Sequence, residues 1–104
     1  MKIYAGQTLE GTMVFTDDDG SVISDFSGID IKLLVKNVYN DYSILVEKAS
    51  MQISGEQVKF TISAEQTKKL TTSAVIELKV TRGTKVLIAK KQPFVVESNT
   101  IKDL

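Results

Sequence analysis

The chain holds no histidine and no cysteine, so its reactive groups are hydroxyls, carboxylates, amines and phenols. The missing histidine is the commonest general base and the commonest transition-metal ligand. The missing cysteine rules out a thiol nucleophile, a thiolate zinc site and a disulfide framework. A serine or threonine nucleophile would then need lysine or a carboxylate pair to take its proton. No spacing along the chain singles such a base out, so the protein is expected not to be an enzyme, with no metal and no cofactor. The run Asp17-Asp18-Asp19 has the hard oxygens that calcium prefers. A calcium loop beginning at Asp17 would need glycine about five residues on and glutamate about eleven residues on. Val22 and Gly28 stand there instead. A solvated hairpin, with the aspartates accepting local backbone hydrogen bonds, is the better reading.

Binding is the other chemistry these residues offer. Tyr39 and Tyr42 bracket Asn40-Asp41 in the longest irregular stretch, residues 37–43. Loop aromatics anchor sugars and proteins, but tyrosines also pack over the end of a β-sandwich, and packing is the stronger expectation. Val86-Leu87-Ile88 is apolar on both faces of an extended strand, and Lys90-Lys91 and Pro93 follow it. Lysine and proline guard sheet edges, which allows a managed edge on a monomer. The expectation here is the alternative, a strand covered by a second copy or by a neighbouring subunit, because three consecutive apolar residues leave no face for water. The pairs Lys68-Lys69 and Lys90-Lys91 lack interleaved aromatics and read as solvated faces rather than phosphate sites.

The elements that must position these groups follow from period two. Ile29, Ile31, Leu33 and Val35 alternate with Asp30, Lys32 and Lys36. Val58, Phe60 and Ile62 alternate with Lys59 and Thr61, and Ala74, Ile76, Leu78 and Val80 alternate with Glu77, Lys79 and Thr81. Leu9, Met13 and Phe15 share a face in residues 9–16. Successive strand side chains point to opposite faces, so each run has one core face and one wet face, the mark of antiparallel sheets covered on one side. The expected core is Met13, Phe15, Ile31, Leu33, Val35, Phe60, Ile62, Ile76, Leu78 and Val80. Glycine-bearing turns separate the runs at Asp17-Asp18-Asp19-Gly20, Ser27-Gly28, Ser54-Gly55 and Arg82-Gly83. Pro93 is expected to split the last run from residues 94–96, at a sheet edge or where the strand changes partner. Only residues 63–70 break the pattern. Ser63 with Gln66 forms a capping box, and Glu65 and Lys68-Lys69 suit the helix dipole, which predicts a short helix near 64–70. The expected fold is all-β, an immunoglobulin-like antiparallel β-sandwich of about seven or eight strands. The chain reads as a single domain over residues 1–104, with 42% apolar and 25% charged residues arguing against disorder.

Thirteen bases balance thirteen acids, so neither nucleic acid nor an anionic membrane is expected as a partner. The charge is nevertheless split. Residues 1–57 hold nine acids and four bases (4 − 9 = −5), and residues 58–104 hold four acids and nine bases (9 − 4 = +5). Interleaved strands can hide such a split, or it can supply complementary patches. No stretch approaches a membrane span, and no signal-peptide core follows Met1, so cytosolic synthesis is expected.

The order of these features resembles the immunoglobulin-like N-terminal domain of phage baseplate upper proteins and related small phage tail modules. The resemblance rests on Gly6-Gln7-Thr8 before the first clear strand and on the acidic hairpin Asp17-Asp18-Asp19-Gly20. It continues with Asp25-Phe26-Ser27-Gly28 leading into residues 29–36, and with residues 58–62 followed by Ser63-Ala64-Glu65-Gln66-Thr67-Lys68-Lys69-Leu70. Residues 74–81, Arg82-Gly83 and Phe94-Val95-Val96 match the closing hairpin. It spans nearly the whole chain through short motifs. The resemblance implies a non-catalytic virion protein, made in the bacterial cytoplasm, that binds tail or baseplate subunits or itself. A cell-surface or secreted adhesion or carbohydrate-binding module, anchored by Tyr39 and Tyr42, is the other reading of the same fold.

Overall fold

The computed structural model describes residues 2–70 and 73–97, which form two stacked sheets. In chain order the strands are β1 (Lys2–Tyr4), β2 (Leu9–Met13), β3 (Ile29–Asn37), β4 (Ser43–Glu47), β5 (Gln52–Ser54), β6 (Gln57–Ile62), β7 (Ser73–Arg82) and β8 (Lys85–Glu97). A 3-10 turn, Lys48–Ser50, precedes β5, and helix α1 (Ala64–Thr67) precedes β7. One sheet has the order β1-β8-β7-β3-β4 and the other β2-β6-β5. This is immunoglobulin topology: β8-β7-β3-β4 matches G-F-C-C′ and β2-β6-β5 matches B-E-D. No described strand takes the position of A beside β2. Every ladder is antiparallel except β1 with β8, which runs parallel.

Alternation produces these elements as the sequence predicts. Ile29, Ile31, Leu33 and Val35 of β3 are buried while Asp30, Lys32 and Lys36 face out, and β6 buries Val58, Phe60 and Ile62. Eight of the ten expected core residues are buried, and Met13 and Leu78 pack against the core with part of each side chain exposed. The core also takes Ile3, Ile23, Phe26, Ile44, Val46, Met51 and Leu70. Phe15 and Phe26 meet edge to face at 6.4 Å between ring centroids. Opposite Phe60, Gly11 is required by close approach, because a Cβ there would lie 2.4 Å from the Phe60 ring.

Several boundaries differ from the sequence reading. β2 ends at Met13, and Phe15 reaches the core from the following segment, where Thr16 bridges Val22. The irregular stretch is shorter than expected, since Asn37 closes β3 and Ser43 opens β4. Pro93 does not split the last run. It lies inside β8 opposite Val75, two positions before β1 begins to pair at Val95. Among the described residues no strand lies on the outer side of β8 there, so the donor that proline lacks costs no ladder bond.

A polar cluster closes one end of the sandwich. Ser63 and Gln66 form the capping box of α1. Thr67, fully buried, donates its hydroxyl to the Gln7 carbonyl at 2.7 Å, tying α1 to the turn between β1 and β2. Asn37, also buried, donates from Nδ2 to the Lys69 carbonyl at 3.2 Å and to Asn40 Oδ1 at 2.9 Å. At the other end the half-buried Lys48 donates from Nζ to the carbonyls of Phe26 and Ile29, at 2.6 and 2.7 Å.

Replacing Phe60 with alanine removes a buried ring of β6 and is expected to cost about 3–5 kcal/mol, read as a lowered urea midpoint. Thr67→Val keeps the shape but deletes the bond to Gln7, and about 1 kcal/mol of lost stability is expected in the same assay.

Candidate interaction site

The two tyrosines of the β3–β4 connection part company. Tyr42 is half-buried against the core, and its hydroxyl donates to the Gln66 carbonyl at 3.1 Å. The Lys69 ammonium stands 5.7 Å from its ring centroid, and its backbone N–H donates to Asn40 Oδ1. It is a packing residue that braces α1. Tyr39 is 78% exposed. The structure therefore leaves a single exposed ring in this connection rather than an aromatic pair.

The acidic hairpin is a structural turn. Asp17 accepts from Arg82 at 2.8 Å, Asp18 pairs with Lys85, and Asp19 accepts from the Ser21 backbone N–H and hydroxyl. These contacts tie the β2–β3 segment to the β7–β8 turn, where Gly83 has φ +59°. They join the acidic half of the sequence to the basic half within one molecule. The Arg82 guanidinium holds the Asp17 carboxyl well below the ordinary aspartate value, with the Asp18 N–H adding to the effect. The Ser21 hydroxyl lowers Asp19, and the Ser27 N–H lowers Asp25.

Strand β8 is the longest element, and its exposed side differs from the sequence expectation. A bulge lies opposite Val80 and Thr81: Val80 pairs with Ile88 and Thr81 with Val86, leaving Leu87 without a register partner. The extra residue shifts the phase of alternation. Val86 turns outward at 50% exposure, while Leu87 and Ile88 pack partly against the core. The run is thus apolar on both faces, with the bulge setting which residue faces out. From Lys85 to Gln92, β8 pairs with β7 on one side, and among the described residues no strand pairs with its other side.

Beside that edge the sandwich is open. A cleft of about 450 Å³ runs between the edge of β2 and the edge of β8. Its walls are residues 9–13 on β2, with Glu10 and Thr12 at the rim, and Lys90, Lys91 and Gln92 on β8, and Leu33, Phe60, Ile76 and Leu78 line its depth. Lys90 pairs in register with Leu78, and Gln92 with Ile76. Paired residues share a face, so this lysine and glutamine stand on the inner face of the sheet, where the alternation would otherwise place apolar side chains. Lys91 stands on the outer face, 3.6 Å from the Glu77 carboxylate. Lys90 has no ion pair with any described residue. An inward charge on an edge strand discourages indiscriminate pairing. The pair Lys90-Lys91 is thus split between two faces, where the sequence reading places both on one solvated face.

The cleft was not foreseen from the sequence. Its signal is the phase change after the bulge, which turns Lys90 and Gln92 inward opposite a strand that alternates cleanly. The chain matches none of the known protein families it was compared with, and no curated protein matches it.

Because Asp17, Asp19 and Asp25 titrate lower in the folded state than ordinary aspartates, they favour folding at neutral pH. That contribution is present above the ordinary value of about 3.9 and is lost as pH falls through the lowered values. The urea midpoint is expected to drop as pH falls from about 5 toward 2, with a shallower drop in Asp17→Asn, read by circular dichroism.

Proposed function

We propose that this domain is a non-catalytic assembly module that holds neighbouring protein subunits together, in a phage or prophage tail or baseplate. The observation that supports a contact role is the open seam between β2 and β8, where a strand edge that no described strand pairs adjoins a largely apolar cleft. Exposed edges and apolar clefts are the features by which β-domains recruit polypeptide partners. The tail setting rests on the resemblance in order of features. The turn after β1, the acidic hairpin, the entry to β3 and the capped α1 all fall at joints of the immunoglobulin-like frame.

The adhesion reading keeps less support. It relied on Tyr39 and Tyr42 acting together, and Tyr42 is engaged with α1.

Mass spectrometry of density-gradient-purified tail particles from the producing strain tests the proposal. The chain is expected at a fixed stoichiometry to the tail subunits. Its absence from intact particles, with the chain present in the soluble lysate or bound to a glycan array, contradicts the tail reading.

A further inference from the structure

Strand β1 shows what the seam accepts. It pairs parallel with the end of β8, Lys2 to Val95 and Tyr4 to Glu97, and inserts Ile3 into the core, where it is 4% exposed. Extending the β1 line backward along β8 keeps the same register. Inner positions then fall beside Gln92, Lys90 and Ile88, over the cleft that Leu9, Met13, Phe60 and Leu78 line. Among the described residues, this slot has one backbone edge without a strand partner, an apolar floor and, beside Glu10 on the β2 rim and the Glu77-paired Lys91, one ammonium without an ion pair.

We infer that the slot along Lys85–Gln92 receives an extended segment from another protein. The segment runs parallel to β8 in line with β1 and carries an aliphatic, an acidic and an aliphatic side chain at alternate positions. The inference rests on the contact role proposed above and names the partner's chemistry. A backbone ladder is satisfied by a polypeptide and not by an acyl chain. Alternate aliphatic side chains take beside Ile88 and Gln92 the kind of place that Ile3 takes beside Val96, and the carboxylate meets Lys90.

Charge also argues against a second copy as the occupant. Two β8 edges paired together would bring Lys85, Lys90 and Lys91 of each copy into one ladder, and like charges across a ladder repel. The β4 edge of a second copy would leave the cleft empty, because Ile44 and Val46 are already in their own core.

The test uses fluorescence anisotropy with a labelled peptide, Thr-Ile-Thr-Glu-Thr-Val-Thr, and the full chain. A control of the same composition, Thr-Thr-Ile-Val-Glu-Thr-Thr, breaks the alternation. Saturable binding of the first peptide is expected, with the control weaker by about tenfold or more. Lys90→Glu lies on an exposed lip, so it should fold. It is expected to weaken binding by about tenfold, and replacing the peptide's glutamate with lysine should restore it. Equal binding of both peptides, no binding at millimolar concentration, or indifference to the charge swap overturns the inference. So does dodecanoate binding in the cleft without peptide binding, or a dimer in sedimentation that the peptide does not dissociate. The two proposals fail separately. A chain present in tail particles but blind to the peptide refutes the slot alone, and a chain that binds the peptide but is absent from particles refutes the tail setting alone.

Discussion

The short pairing of β1 with β8 determines what the rest of the molecule exposes. In immunoglobulin domains the first strand belongs to the sheet that also holds B, E and D. Here that strand contributes Lys2–Tyr4 to the end of β8, and the chain then turns at Ala5-Gly6 and joins the opposite sheet as β2. Thr67 fixes this crossing by holding the Gln7 carbonyl. Once the crossing is fixed, β2 and the long free part of β8 face each other across a gap that no described strand covers. The apolar depth of the cleft follows from this geometry.

The two ends of the sandwich contrast with that open side. At one end Asn37, Asn40, Tyr42, Gln66 and Thr67 satisfy one another and the adjacent carbonyls. At the other, Lys48 and the Asp17–Arg82 pair bind the loops to the strands. Buried polar groups are costly unless bonded, and these bonds are specific in geometry, so both ends are closed to adaptation. The seam has neither polar satisfaction nor full burial. Lys90 and Gln92 on its inner face trade local packing for solubility of the free edge.

Periodicity made the central strands readable. β6 alternates throughout, β3 and β7 alternate with Leu34 and Val75 as the exceptions, and the capping box of Ser63 and Gln66 marks α1. β1 and β5, at three residues each, are too short for a period to emerge. β4 has only five residues, and Leu45 on the wet face at 52% exposure between Ile44 and Val46 leaves too little alternation to read, whereas the nine residues of β3 outweigh its own triplet Leu33-Leu34-Val35. Phe26 and Ile23 reach the core from segments without strand pairing. The site was harder to read, because it depends on a bulge and on contacts distant in sequence. Thr67 and Gln7 lie 60 residues apart, and no local pattern reports which edges they leave open. Tyr42 shows the converse: its type suggested a ligand, and its fold position made it a brace.

Among the described residues the sandwich is open along β8 beside β2. Residue-resolved amide hydrogen exchange on dilute protein tests it most directly. In an antiparallel ladder with one neighbour, alternate N–H groups point to the partner and the others to solvent. Slow exchange is expected for amides of residues 85–92 that face β7, and fast exchange for the alternate amides between them. Uniform protection across that stretch, with β2 amides protected on both edges, would contradict an open seam.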